Sequence, residues 1–130
     1  MVDRALAEAI SYALMRFVAG AMFVFHGIQK IFGEFTAKAP PELWTQKWFG
    51  GVIELIGGVL IAVGLFTRPA AVLASGTMAV AYWQFHAIEK GHMLPVVNGG
   101  ELAALYCFVF LFIAVRGAGS FSLDRQLGRA

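Results

Sequence analysis

The chain has 130 residues, of which 59% are hydrophobic, 14% aromatic and only 14% charged, against roughly 25% charged in an average soluble domain. A water-facing surface is hard to build from this composition. A mean hydropathy of +0.73, with 15 glycines and 12 phenylalanines, fits helices that face lipid and pack closely on one another. The formal net charge of +2 is spread along the sequence without a Lys/Arg cluster, which excludes nucleic acid as an expected partner. Cys107 is the single cysteine, so one chain builds neither a disulfide nor a Cys-pair redox or zinc centre, and any redox chemistry must borrow a cofactor.

A bilayer core about 30 Å thick is crossed by about 20 apolar residues in a helix, whose backbone satisfies its own hydrogen bonds. Four stretches qualify in chain order, predicting an all-α, four-helix transmembrane bundle in one domain. The first runs from about Ile10 to Phe32, with Arg16 near its start and His26, Gln29 and Lys30 near its end. Because Arg16 falls inside the apolar stretch and no small-residue cleavage site follows, this segment is expected to be retained rather than cleaved as a signal peptide. The second, from about Trp48 to Phe66, is interrupted by Glu54, and the third, Pro69 to Ile88, carries no Asp, Glu, Lys or Arg. The fourth runs from about Asn98 to Val115, headed by Glu101 and preceded by Pro95.

With four spans both termini share a side. That side holds Arg4, Arg16, Arg68, Arg116, Arg125 and Arg129, against Lys30, Lys38, Lys47 and Lys90 on the other, so the positive-inside rule expects both termini in the cytoplasm of a multi-pass protein in the cell membrane. The link from Glu34 to Lys47 is polar and leads into Trp44 and Trp48, an aromatic pair suited to the membrane interface. The tail after Gly117 and Gly119 is expected to lie along the cytoplasmic face.

Helical spacing predicts where the polar side chains point. In the second span Gly50, Glu54, Gly57, Ile61 and Gly64 share a stripe, and glycine admits a neighbouring backbone, so Glu54 should face the bundle. Arg16, Gly20, Phe23, Gly27 and Lys30 form a matching stripe in the first span, with His26 beside it, and Ser75, Met78, Tyr82, His86 and Glu89 form one in the third. By depth, His26, Gln29, Lys30, Glu54, Tyr82, His86, Asn98 and Glu101 fall in the outer half and Arg16 in the inner half. A charge at the bilayer centre costs about 2.5–3.5 kcal/mol on insertion scales, so Glu54 needs a cation, a proton or water, with Lys30 and His26 nearest by depth. The expectation is a polar pocket that opens outward.

Each group has a plainer role beside the chemical one. Glu54 is either a structural carboxyl or a proton-exchanging acid. His26 and His86 either ligate a haem or another metal, hydrogen-bond a quinone carbonyl, or serve as bundle histidines, with ligation the weaker reading because neither lies in a ligand-spacing motif. Asn98-Gly99-Gly100-Glu101 has the spacing of a capping box, Lys30 has the option of snorkelling, the Tyr82 hydroxyl serves the pocket or a neighbour, and Arg16 reaches either the inner interface or a tail carboxylate such as Asp124.

His26-Gly27-Ile28-Gln29-Lys30 followed by Phe32-Gly33, then Gly51, Glu54 and Gly57-Gly58, then Gly64-Leu65-Phe66-Thr67-Arg68 and Ala71, with Asn98-Gly99-Gly100-Glu101 and the closing Gly117 and Ser122-Leu123-Asp124, together resemble the DoxX family of small bacterial integral membrane proteins across nearly the whole chain. The resemblance implies a four-helix membrane protein described as an oxidoreductase or as the membrane component of a redox complex. Its relatives include a subunit of a thiosulfate:quinone oxidoreductase and partners of soluble oxidative-stress enzymes. It singles out His26, Lys30, Glu54, Arg68, Asn98 and Glu101. The expected function is quinone-linked redox chemistry, with His26, Glu54 and His86 as the reacting groups, Lys30, Asn98, Glu101 and Tyr82 binding the substrate, and Arg16, Arg68 and Asp124 at structural or interface positions. No metal site is expected, quinone is favoured over haem, and a redox enzyme or a second copy are the expected partners beside the bilayer. The alternative is a non-catalytic anchor or assembly factor for a soluble redox enzyme. A small transporter ranks last, since no inverted repeat is visible.

Overall fold

The computed structural model describes residues 3–129. It is all-α among those residues: α1 Arg4–Phe32, α2 Gln46–Val63, α3 Thr67–Ala81 continuing into a π-helical segment Tyr82–Ile88, a short α4 Pro95–Asn98, α5 Glu101–Arg116 and a final turn α6 Leu123–Gln126. The long helices form a bundle. α1 and α2 are each long and apolar enough to cross a membrane.

Local chemistry sets the boundaries. Asp3 caps α1 by accepting from the Ala5 amide at 3.0 Å, so α1 starts at Arg4, earlier than the apolar run near Ile10 implies. Thr45 caps α2 by accepting from the Trp48 amide. α2 stops at Val63, short of Phe66, because Gly64 takes a left-handed φ of 72° that closes the helix. α5 begins at Glu101 and not at Asn98. The expected capping box is therefore not formed: Gly100 occupies the cap position, and the Asn98 Oδ1 accepts from the Gly100 amide at 2.8 Å instead.

α1 packs chiefly along α2 and α3 along α5, and α2 against α3 joins the two pairs while α1 and α5 approach each other little. Between the pairs lie Phe23, Ile61, Phe110 and Ile113, all fully buried, with Phe23 against Phe110 at 4.7 Å between ring centroids. The α1–α2 seam is glycine-lined. A Cβ on Gly20 would lie 2.7 Å from the Gly58 carbonyl, one on Gly58 2.7 Å from the Gly20 carbonyl, and one on Gly27 2.5 Å from the Leu55 amide. Backbones this close gain dispersion contacts along the whole seam. The stripe read from sequence is buried at Glu54, Gly57, Ile61 and Gly64, but the glycines that admit α1 are its neighbours Gly51 and Gly58. At Gly50 and Gly57 an added Cβ would meet nothing within 4 Å. The outer faces carry exposed Phe17, Phe25, Val72, Leu105, Phe108 and Val115, an apolar exterior that suits lipid.

The bundle has two unlike ends. At the tail end, residues 117–127 lie against the start of α1 and the α2–α3 turn. At the loop end, Gln46 at the start of α2 donates to Gln84 in the π-helical segment at 2.5 Å. Trp44 and Trp48 meet in the entry to α2, with centroids 5.0 Å apart.

Candidate functional site

Gly27 and Gly51 hold α1 and α2 together at the loop end, and a Cβ on Gly51 would lie 2.9 Å from the Lys30 Cβ. That approach carries the Lys30 ammonium across to α2, where Nζ donates to Glu54 Oε1 at 2.6 Å. The pair is lopsided: the Glu54 side chain is 3% exposed and the Lys30 side chain 42%. Lys30 reaches over from the rim while the carboxylate stays inside. A charge-assisted bond of this length is strong, yet burying a carboxylate remains costly unless its other lone pairs are also met. They are not: Glu54 Oε2 is buried with no hydrogen-bond partner among the described residues.

A second orphan lies on α5, where the Tyr106 hydroxyl is also buried without a partner among the described residues. Its ring stacks on Phe110 at 5.3 Å, packs on Phe23 at 5.5 Å and meets the His26 ring edge-on at 6.1 Å. Lys30 thus ties α1 to Glu54 of α2, and His26, one turn before Lys30 on α1, meets Tyr106 of α5. Sequence reasoning omitted Tyr106. The available signal was a hydroxyl-bearing ring in an otherwise apolar fourth span, on a helix whose inward face its spacing hardly reveals.

Tyr82, His86 and Asn98 form a different cluster. Asn98 is 3% exposed; its amide donates to the Tyr82 hydroxyl at 3.2 Å and to the His92 carbonyl at 2.8 Å. The Tyr82 hydroxyl donates to the Met93 carbonyl, and His86 Nδ1 lies 3.2 Å from the Asn98 carbonyl, which makes that nitrogen the donor. The wide turn of a π-helix brings residues four apart nearly into line, and the Tyr82 and His86 rings are 6.4 Å apart. These groups spend their hydrogen bonds on the loop before α5. Among the described residues, no hydrogen bond joins them to Glu54. The single outer layer expected from depth is therefore two clusters, with His86 in the second. Glu101 joins neither, being exposed in the first turn of α5. Among the described residues no group of three or more His, Cys, Asp or Glu side chains is placed to hold a metal.

At the tail end the buried polar side chains Arg16, Thr67, Ser122 and Asp124 are all hydrogen-bonded. Arg16, 3% exposed, donates to the carbonyls of Ile61 at 3.0 Å, Phe121 at 2.7 Å and Ala118. It does not pair with Asp124. That carboxylate accepts from the Phe66 amide at 2.9 Å, the Thr67 amide at 3.0 Å and the Thr67 hydroxyl at 2.8 Å. Burial alone would raise the Asp124 pKa, but the Thr67 and Phe66 bonds and the Arg129 charge outweigh it and hold it below the usual carboxylate value. Arg68 donates to the Ala114 and Val115 carbonyls at 3.0 and 2.6 Å, closing the C-terminus of α5. Two shallow grooves of about 340 and 380 Å³ lie beside this end, lined by Arg16 and Phe121 and by Phe121 and Gln126 among others, and neither includes Glu54.

The DoxX family model matches residues 11–87. A Haemophilus influenzae protein whose name carries no function is 42% identical over 88% of this chain and 88% of its own length. The Escherichia coli "Inner membrane protein YphA" is 27% identical over 95% of each chain. The Bacillus subtilis "Putative oxidoreductase CatD" is 30% identical over 88% of this chain and 85% of its own. No solved structure matches significantly.

Proposed function

The chain belongs to the DoxX family of membrane proteins, and from that premise we propose that it is the membrane component of a quinone-linked redox system, with the quinone headgroup held at the Lys30–Glu54 site. The observation that carries the proposal is the buried Glu54 carboxylate with one oxygen on Lys30 and the other unpaired. A bundle carboxyl kept only for structure would have both oxygens satisfied, as Asp124 has. The name of the Bacillus subtilis relative supports redox chemistry.

In this reading Lys30 and His26 donate to quinone oxygens, and Glu54 passes protons between the headgroup and the loop end. Reduction of a quinone to a quinol takes two electrons and two protons. The electrons come from a soluble redox enzyme docked on the membrane, and the protons pass through Glu54. The chain crosses the cytoplasmic membrane four times with both termini inside. The test is equilibrium binding of a short-chain quinone to the purified protein, with extraction of any co-purifying quinone. Glu54→Gln and Lys30→Met should each weaken binding about tenfold, the loss of one charge-assisted hydrogen bond. Equal binding by all three proteins, with no quinone extracted, overturns the reading.

The tail end favours a second reading, a non-catalytic anchor for a soluble enzyme. Held by Arg16 and Asp124, the tail presents Phe121, Arg125 and Leu127 as an exposed, fixed surface. Under this reading partner capture survives Glu54→Gln and fails when residues 121–129 are removed.

A further inference from the structure

The two ends of the bundle carry different cations. All six arginines of the chain fall toward the tail end, in the first half of α1, at the start of α3, at the end of α5 and in the closing segment, and all four lysines fall toward the loop end. Five carboxylates accompany the lysines and outnumber them. The three at the tail end are all committed: Asp3 accepts from the Ala5 amide, Glu8 pairs with Arg4 at 2.9 Å, and Asp124 is taken by Phe66 and Thr67. Arg16 is spent on backbone carbonyls. Arg68, Arg116, Arg125 and Arg129 are left, all exposed, and among the described residues none is within ion-pair distance of a carboxylate. Arg68 closes the end of α5. Arg116 and Arg129 rest on rings instead, 4.3 Å over Tyr12 and 4.4 Å over Phe66. Stacking on an aromatic face holds a guanidinium in place without using its N–H groups, which stay available to an acceptor.

We propose that the tail end is a contact surface for anionic phospholipid headgroups, with Arg116 and Arg129 as phosphate contacts. Their place along the helices is the first reason. Phe112 and Val115 are exposed on the last turns of α5, just before Arg116, and Phe66 is exposed under Arg129, so each guanidinium follows directly on apolar surface that acyl chains would cover. Lipid phosphates stand at that level. The second reason is the donor: the planar fork of a guanidinium matches two oxygens of a phosphate, which the point charge of a lysine does not. The third is charge. A headgroup that bears an ammonium brings its own cation to an already cationic surface, whereas one with only the phosphate charge supplies the anion that the committed carboxylates do not. Each arginine near an anionic leaflet then gains about fivefold in binding. A soluble acidic protein would meet the same charge but not the apolar surface continuous with it. The surface lies at the opposite end from Lys30 and Glu54 and needs no quinone there.

The probes are phosphatidylglycerol and phosphatidylcholine with the same acyl chains, which differ in net headgroup charge. The full-length protein in a neutral detergent is titrated with each, and bound lipid is counted by native mass spectrometry. The wild type should prefer phosphatidylglycerol by about tenfold or more. Arg116→Gln with Arg129→Gln should bring the preference down to about twofold or less, while Lys38→Gln with Lys90→Gln, which removes the same charge from the loop end, should leave it in place. Replacing chloride by inorganic phosphate at constant ionic strength should not abolish it, since a free anion has no acyl chains. Equal binding of the two lipids by the wild type overturns the proposal, and that is also the result if the arginines serve a soluble acidic protein. So does a preference that the lysine pair removes as fully as the arginine pair, or one that free phosphate erases. The wild-type comparison and the phosphate competition decide the matter even if the arginine variant does not fold.

Discussion

The two ends of the bundle use the same kinds of side chain to opposite effect. At the tail end Arg16, Arg68 and Asp124 meet backbone groups on every side. At the loop end Glu54 is as deeply buried as Arg16, yet it pairs through one oxygen and leaves the other open. Burial of a charge therefore does not by itself mark a functional group. The hydrogen-bond accounting separates the closed tail end from the half-paired Glu54.

The comparison breaks most visibly at Arg16. Arg16→Ala removes a charged donor, worth about 1.5–3 kcal/mol each, from the carbonyls of Ala118 and Phe121 and from that of Ile61, which keeps its bond from the Gly64 amide, and the expected destabilisation is about 3–5 kcal/mol in detergent unfolding, with the tail newly open to protease. A loss under about 1 kcal/mol would mean that the clasp is not what holds this end.

The glycine seam gives the next largest effect. Gly58→Ala forces a methyl against the Gly20 carbonyl and the Val24 amide, both 2.7 Å away, and should cost about 1–3 kcal/mol through overpacking.

Asp124→Asn should cost about 1–3 kcal/mol, because its amide group sets a donor against a Phe66 or Thr67 donor. Its pH dependence has a definite sign. The folded pKa is lowered, so the stabilisation is fully present above the unfolded value of about 3.9 and is lost as pH falls through the folded value. Thermal unfolding followed from neutral pH into acid should show this loss in the wild type and less of it in Asp124→Asn.

The smallest effect sharpens the contrast at the loop end. Gly57→Ala adds a methyl where nothing stands within 4 Å and gains helix propensity of about 1 kcal/mol, so the melting temperature should hold or rise slightly. A destabilisation like that of Gly58→Ala would show that the space at Gly57 is not open.

Much of the site was legible before any coordinates. The spacing of Arg16, Gly20, Phe23, Gly27 and Lys30 foretells the face of α1 that is buried up to Gly27, and Lys30 is among the partners that depth offers Glu54. His86 was not legible. Depth along a helix says nothing about which neighbour a side chain reaches across the bundle, and the loop from Gly91 to Asn98 returns close enough to claim it. Nor was the choice of glycines, since residues one apart on a helix point about 100° from each other, and whether Gly50 or Gly51 meets α1 depends on the rotation of α2 about its axis.

By itself the sequence determined an all-α, membrane-type chain, with apolar stretches and inward polar stripes, because composition and periodicity are local properties that each segment carries. Tertiary structure alone decided that Lys30 closes on Glu54, that Tyr106 meets His26 with its hydroxyl unpartnered among the described residues, and that His86 is held elsewhere. Those outcomes depend on how far one helix is rotated and slid against another, and that register is set by many weak contacts between residues distant in the chain.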